Sequence, residues 1–571
     1  MEFVGRAGCR IIPDKINESV RTDVANNGQR ERSLNAMRFL LVNPYYPISE
    51  VPSPPLGLAF IGSALESAGV DVRLLDYVVF PYDKNELNSV LLELQPRFVG
   101  LTAVTMNFHE AMRVIRDVKD IAPGVTTVMG GPHVTFCAEE TMEQYPELDL
   151  IVLGEGERTI VDVVKTVELG KPLDEVHGIV FRHGDLIIRT APHLEPLDVN
   201  SLPLPARHLL PLGRYKALNL AISMTTSRGC PFKCIFCVGR SMVGAKVRYR
   251  RPDLVVDELE YLGTLGFSQI NIADDLFTAN KRHCLDICDE IARRNLKIKW
   301  SSFARVDTVS TELLAAMKAA GCHSVSFGVE SANADILKTI QKGITTDQVI
   351  AAVKACSEVG ILPCASFILG LPGETPETLQ ETVTFAKKLN KMGVKYGYHL
   401  LAPFPGTMVR EHSDDYGLRI LTDDWSEYHG NRAIVETSAV DKKTLDSIVI
   451  EWEENALKWL AIIAERVDRA ETGEEESSLM DILERNMQTY QLMMERAVET
   501  HGRVQDDSHS SNDRLERLWE RLVAVNGYSP APLKTALTHA VEKGVLYYQE
   551  EDDGISWRWR NYLERQSRSE R

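Results

Sequence analysis

Between residues 38 and 190, short apolar runs alternate with longer segments whose apolar positions recur every three or four residues. The short runs are "RFLLVNP" (38–44), "DVRLLD" (71–76), "FVGLTAVT" (98–105), "TTVMGG" (126–131) and "LDLIVLGEGE" (148–157). Segments such as "LGLAFIGSALESAG" and "FHEAMRVIRDVKDIA" carry the helical spacing. Continuous apolar runs mark strands buried on both faces. The pattern therefore predicts an α/β unit over 37–190, a doubly wound (Rossmann-like) parallel sheet flanked by helices. Ligands of such sheets bind beyond the carboxyl ends of the strands, which is where "NPYYP", "TAVTMN", "GGPH" and "GEGE" fall.

The alternation resumes over 219–415, with strands at "AISMTTS", "QINIADD", "IKWSSFARVD", "HSVSFGVES", "PCASFILGLPGE" and "YGYHLLAPF". Six strand–helix units predict a (β/α)6 partial TIM barrel, with its chemistry at the carboxyl ends of the strands. Residues 191–218 are rich in proline and read as a linker crossing the surface. Beyond 416 the strand signal fades, and 416–571 reads as mostly helical. "ETGEEESS" (471–478) is expected as an exposed loop, and the tail as a helix followed by a hairpin turned at "EDDG", resembling a winged helix. Residues 1–36 form a polar N-terminal extension.

Composition narrows the setting. With 44% hydrophobic and 25% charged residues, the chain is that of a soluble globular protein. A net charge of −17 argues against a general nucleic-acid binder, which needs concentrated Lys and Arg; the basic strip "KVRYRR" is local. No apolar run approaches the ~18 residues of a membrane span, and the N-terminus lacks the apolar core of a secretory signal. A cytoplasmic location is expected.

Seven of the ten cysteines are scattered through periodic segments. Cys284 and Cys288 lie one helical turn apart, a spacing that fits core packing or a metal pair. The other three, Cys230, Cys234 and Cys237, share "SRGCPFKCIFC", directly after the first strand of the second unit. Structural zinc would want a fourth ligand, and neither His208 nor Cys284 forms a second knuckle. A disulfide with one spare thiol is out of place in the cytoplasm. A [4Fe–4S] cluster on three thiolates leaves one iron open for chemistry.

C-x-x-x-C-x-x-C after the first strand of a βα barrel, with Phe236 before the last cysteine, closely resembles the radical S-adenosylmethionine (SAM) enzymes. The resemblance implies that SAM chelates the open iron and is cleaved reductively to a 5′-deoxyadenosyl radical. It places the SAM amino group at "IADD" (Asp274, Asp275), although the family's usual Gly-Gly-Glu is absent. It places the ribose or carboxylate at Glu330 and Ser331 of "FGVES", and the adenine at "FILGLPGET", around Ile368, Gly370 and Gly373. Arg305 of "FARVD" suits a carboxylate through its bidentate fork. Glu374, before "TPETLQ", reads instead as chemistry of a helix N-terminus.

The first unit resembles the cobalamin-binding domain that precedes the barrel in one large subclass of that family. Thr102, Val104 and Thr105 of "GLTAVT", the pair Gly130 and Gly131, and Gly154 and Glu155 of "GEGE" carry the match. Many cobalamin proteins have D-x-H-x-x-G after the first strand, but "NPYYPISEVPSPPLGL" contains no histidine, and His109 and His133 follow later strands. Cobalamin is therefore expected without a histidine lower ligand. Tyr45 and Tyr46 either line that face or pack. The dinucleotide fingerprint G-x-G-x-x-G is missing from the loop.

The subclass implies methylation of an unactivated carbon. One SAM generates the radical that abstracts a substrate hydrogen, methylcobalamin delivers the methyl group, and a second SAM restores it. The same pair of domains also occurs in a porphyrin-ring cyclase group and in a ring-contracting enzyme. A non-catalytic cobalamin or iron–sulfur sensor is a further reading. The implied partners are a small-molecule substrate, natural-product or lipid-like, and an electron donor such as flavodoxin or ferredoxin.

Overall fold

The computed structural model describes residues 37–46, 52–267, 269–469, 471–504, 511–551 and 554–563. The N-terminal extension with Cys9, and residues 47–51 after the first strand, lie outside the described residues.

The first unit is a seven-stranded sheet: β1 (Arg38–Asn43), β2 (Asp71–Asp76), β3 (Phe98–Thr102), β4 (Thr126–Gly130), β5 (Leu150–Val152), β6 (Ile179–His183) and β7 (Leu186–Arg189), in the order β2-β1-β3-β4-β5-β6-β7. Strands β1 to β5 are parallel. The chain reverses direction across the sheet between β1 and β3, creating a switch point where a ligand crevice opens. The antiparallel extension β6–β7 is additional to the five expected strands. It is a short hairpin turned at Gly184, whose φ of 58° suits the turn. Helices α1 (Leu56–Ser67), α2 (Lys84–Leu94), α3 (Phe108–Ile121), α4 (Pro132–Phe136), α5 (Ala138–Gln144) and α6 (Gly156–Glu168) complete the layers. Leu58 and Leu65 of α1 share a core with Ile160 and Val163 of α6 on one face, while Leu87 and Leu91 of α2 pack with Phe108 and Ile115 of α3 on the other.

The second half of the proline-rich stretch is buried, not a surface crossing. Arg207 is 1% exposed and donates to Glu258 at 2.8 Å, and α7 (Leu212–Ala217) is packed into the interior.

The barrel unit opens with β8 (Ile222–Met224), the two-residue ribbon strands β9 (Ser227–Arg228) and β10 (Arg248–Tyr249), and α8 (Gly239–Val243) between them. Strands β11 (Ile270–Ile272), β12 (Trp300–Ala304), β13 (Cys322–Glu330), β14 (Leu362–Leu369) and β15 (Lys395–Leu400) join β8 in a six-stranded parallel sheet, order β8-β11-β12-β13-β14-β15. Period-two alternation sorts the side chains. Trp300, Ser302 and Ala304 of β12 are buried, whereas Phe303 between them is 55% exposed. Helices α9 (Pro252–Thr264), α10 (Lys281–Arg293), α11 (Thr311–Ala319), α12 (Ala334–Thr339), α13 (Thr346–Val359) and α14 (Pro376–Lys391) alternate with the strands. Cys284 and Cys288 of α10 are 0% and 3% exposed and belong to the apolar core.

After α15 (Met408–Glu411) and a ribbon of β16 (Leu418–Ile420) with β17 (Val435–Thr437), two long helices follow, α16 (Lys442–Asp468) and α17 (Glu474–Met494). Because α17 begins at Glu474, the expected loop is shorter than 471–478. Then come α18 (Ala497–His501), β18 (Arg503–Val504), α19 (Ser511–Asn526), α20 (Pro530–Glu542) and the hairpin β19 (Leu546–Glu551) and β20 (Gly554–Trp559), in sheet order β18-β20-β19. This terminal unit shares one core with Val78 and Val79, in the turn after β2, and Tyr215 of α7. Among the described residues, no helix is long and apolar enough to cross a membrane.

Candidate functional site

The carboxyl ends of the two parallel sheets face each other across a cavity of about 370 Å³. One wall belongs to the first unit: Leu41, Gly100, Thr102, Gly130, Gly131, Gly154 and Glu155, with Leu58 of α1 and Glu157 of α6. The other belongs to the barrel: Thr225, Ser227, Arg228, Met242, Ala273 and Asp275.

The glycines are required on the first wall. A Cβ at Gly100 would stand 2.6 Å from the Phe39 ring. At Gly131, where φ is +103°, it would stand 2.6 Å from the Ala103 carbonyl oxygen. Bare backbone thus lets these two strand ends pack closely behind the slot at the switch point. Of the nine residues expected to contact cobalamin, Thr102, Gly130, Gly131, Gly154 and Glu155 line this slot. Thr105 is buried, its hydroxyl 3.3 Å from His133 Nδ1. Val104 is 38% exposed, and its N–H donates to Asn107 Oδ1. Tyr45 and Tyr46 do not line the slot; Tyr45 packs against the core under α2 and α3, and Tyr46 against the terminal unit. His133 is wedged against Phe108 and Trp425, and burial depresses its pKa to about 3, so it is neutral. His109 pairs on the surface with Asp424 at 3.4 Å.

The cysteine loop is braced from two sides. The Gly229 N–H donates to Asp275 Oδ2 at 3.0 Å, and the Ile235 N–H to the Ile340 carbonyl at 3.2 Å. The Arg305 guanidinium carbon lies over Phe232, 3.6 Å from the ring centroid. Cys230 and Cys234 are half-buried and Cys237 is exposed, all three as free thiols. Among the described residues, no three His, Cys, Asp or Glu side chains converge on the site of a single metal ion.

The expected SAM contacts divide. Asp274 is buried and fully engaged: its carboxylate accepts from the Thr226 N–H and hydroxyl at 2.6 Å each and from the Ser227 hydroxyl at 2.7 Å. It braces the strand end before the cysteines, while its neighbour Asp275 faces the cavity. Glu330 forms an ion pair with Lys342 at 2.7 Å and sits at φ 66°, beside a register shift between β13 and β14. A non-glycine residue held there is strained, a condition that clusters at functional sites. Ser331 is buried, 3.2 Å from the Thr382 hydroxyl. Arg305 is engaged bidentately by Asp307 at 2.9 and 2.8 Å. Ile368 is half-buried beside His399 of β15. Phe236 has the Lys342 ammonium 6.0 Å from its ring.

Glu374 is not the helix cap. Thr375 caps α14, while Glu374 is fully buried and accepts from the Gly370 N–H at 2.6 Å and the Leu371 N–H at 3.1 Å. Burial pushes its pKa up to about 8, against the pull of those two bonds. Lys342, Asp307 and Phe232 went unnoticed in the sequence: Lys342 pairs with Glu330 twelve residues away and Phe232 lies under Arg305 of a later strand, while Asp307 braces Arg305 from only two residues on, a pairing that follows no hydrophobic period.

Profiles of two protein families match the chain: the B12 binding domain over residues 49–164 and the radical SAM superfamily over residues 224–386. An uncharacterized methyltransferase of Pyrococcus horikoshii is 36% identical over 403 residues, spanning 69% of this chain and 87% of that protein. The chain belongs to the B12-binding radical SAM enzymes. The enzyme is also similar to the anaerobic magnesium-protoporphyrin IX monomethyl ester cyclase of Cereibacter sphaeroides, 30% identical over 72% of this chain and 69% of that protein. Among solved structures, OxsB with aqua-cobalamin and SAM bound shares the fold at a TM-score of 0.65, with 20% identity, over 90% of this chain and 84% of that chain. TsrM from Kitasatospora setae, with cobalamin and a [4Fe–4S] cluster bound, shares it at 0.58 with 21% identity, over 70% and 87%. The enzyme's cofactors are a [4Fe–4S] cluster, SAM and cobalamin.

Proposed function

We propose that the enzyme transfers a methyl group from SAM to an unactivated carbon of a small-molecule substrate. The observation that carries this reading is the single cavity bounded by the glycine slot of the first sheet and by Ser227, Arg228 and Asp275 at the root of the cysteine loop. The slot assigned to cobalamin and Asp275, an expected SAM contact, line one space, and delivery of a methyl group to a substrate radical requires the two cofactors to share one.

Cys230, Cys234 and Cys237 would hold the cluster. Asp275, Glu330 and the strand ends at Ile368 and Gly370 would receive SAM. The slot lined by Thr102, Gly130 and Gly131 would take the nucleotide tail of cobalamin. When bound, the cluster supplies the electron that splits SAM and cobalamin supplies the methyl group. The chain's own work is to orient and to exclude water. Asp274 fixes the strand end from which the loop springs, and Arg305 and Lys342 support its aromatic residues from below. A low-potential donor such as flavodoxin or ferredoxin would provide the electron.

Anaerobic incubation with methyl-labelled SAM, reductant and cobalamin tests the reading. S-adenosylhomocysteine together with 5′-deoxyadenosine is the expected pair. 5′-Deoxyadenosine alone would instead favour the cyclising chemistry named for the Cereibacter relative.

A further inference from the structure

Glu155 and Glu157 of "GEGE" are held by the other unit. Arg228 donates from Nη1 to Glu155 Oε1 at 2.9 Å and from Nη2 to Glu157 Oε1 at 2.7 Å. Arg248 Nη1 lies 2.7 Å from Glu155 Oε2, and its guanidinium also donates to the Leu197 and Val243 carbonyls at 2.9 Å each. None of the four side chains is more than 16% exposed. The Arg228 guanidinium also covers the Phe60 ring of α1, 4.9 Å from its centroid.

The placement of this quartet matters more than its strength. Glu157 stands in the first turn of α6, which walls the cobalamin slot. Arg228 stands in β9, two residues before Cys230, and pairs across the ribbon with Arg248. One planar fork thus touches the root of the cluster loop and the wall of the cobalamin slot at once. Two carboxylates on a single guanidinium set both a distance and an angle, which a lysine ammonium cannot do.

We infer that Arg228 is a positioning residue whose fork, seated between Glu155 and Glu157, fixes the cobalamin slot against the cluster loop. The inference rests on the two cofactor sites assigned above. It gives "GEGE" a role directed at the barrel besides its place in the slot wall.

The test is Arg228→Lys in the full-length, reconstituted enzyme. Cob(II)alamin and the reduced cluster are both paramagnetic, so their magnetic coupling reports the distance between them. Wild type should show one narrow coupling. R228K should bind iron and cobalamin and melt like wild type, yet show a broad spread of couplings. Its ratio of S-adenosylhomocysteine to 5′-deoxyadenosine should fall by about tenfold or more, the scale on which an ångström of misplacement acts. A wild-type coupling and ratio in R228K would overturn the inference. So would a coupling lost only in step with the folded fraction, which would make Arg228 merely structural. Should R228K not fold, Glu157→Gln keeps the shape, removes one charge and is read the same way. If wild type itself shows no coupling, the assignment of the two sites fails; if only R228K matches wild type, the inference alone fails.

Discussion

Asp274 and Asp275 are adjacent acids with different work. The sequence places both at a strand end, and nothing in the dipeptide tells which turns inward. Both lie just past the end of β11, and the donors of the neighbouring segment Thr226–Ser227 decide it, burying Asp274 under three donated bonds while Asp275 stays at the cavity. Glu258 was invisible for a related reason. It lies on α9, fully buried between Arg207 and Arg250 at 2.8 and 2.6 Å, and its partners are 51 and 8 residues away. Glu258→Ala leaves two buried guanidinium groups without a carboxylate and should cost roughly 3–5 kcal/mol in denaturant unfolding. Glu374 gives a pH signature. Its folded pKa of about 8 lies above the ordinary 4.5, so the native state holds a proton that the unfolded chain has released. Its contribution to stability is therefore full below pH 4.5 and is lost as pH rises to about 8. Glu374→Gln cannot titrate, so its unfolding free energy should gain on wild type across that window, as pH-resolved melts will show.

At the scale of elements, the parallel strands of both sheets were legible because apolar runs and turn residues repeat in register with the βα units, whereas the antiparallel pair β6–β7 was not. The pieces without a period were not. The ribbon β9–β10 has only two residues per strand, yet it carries the cysteine loop and Arg228. Its entry turns at Gly229, φ +112°, where a Cβ would meet the Lys246 carbonyl oxygen at 2.7 Å. Gly229→Ala imposes backbone strain on the order of 1–3 kcal/mol at the root of the loop. Iron bound per chain after anaerobic reconstitution should fall, with the far-ultraviolet dichroism unchanged.

Across the whole molecule, the proline-rich segment acts as a fastener. Arg214 of α7 donates to the Val79 carbonyl at 2.9 Å and to Asn561 Oδ1 at 2.8 Å, and the Tyr215 hydroxyl donates to Asp76 at 2.7 Å. These contacts lock the terminal unit onto the cobalamin-binding unit, an arrangement that no local pattern in 416–571 announces. A Cβ at Gly213 would stand 1.6 Å from the Arg560 carbonyl oxygen. Gly213→Ala should displace the terminal hairpin, cost about 1–3 kcal/mol, and expose 503–563 to limited proteolysis. The central claim is that Cys230, Cys234 and Cys237 hold a cluster that cleaves SAM in front of a bound cobalamin. Its most direct test is mass-resolved 5′-deoxyadenosine from anaerobically reconstituted wild type and Cys234→Ala, given SAM and a low-potential reductant. The account predicts the nucleoside from wild type and none above background from C234A; equal amounts from both would contradict it.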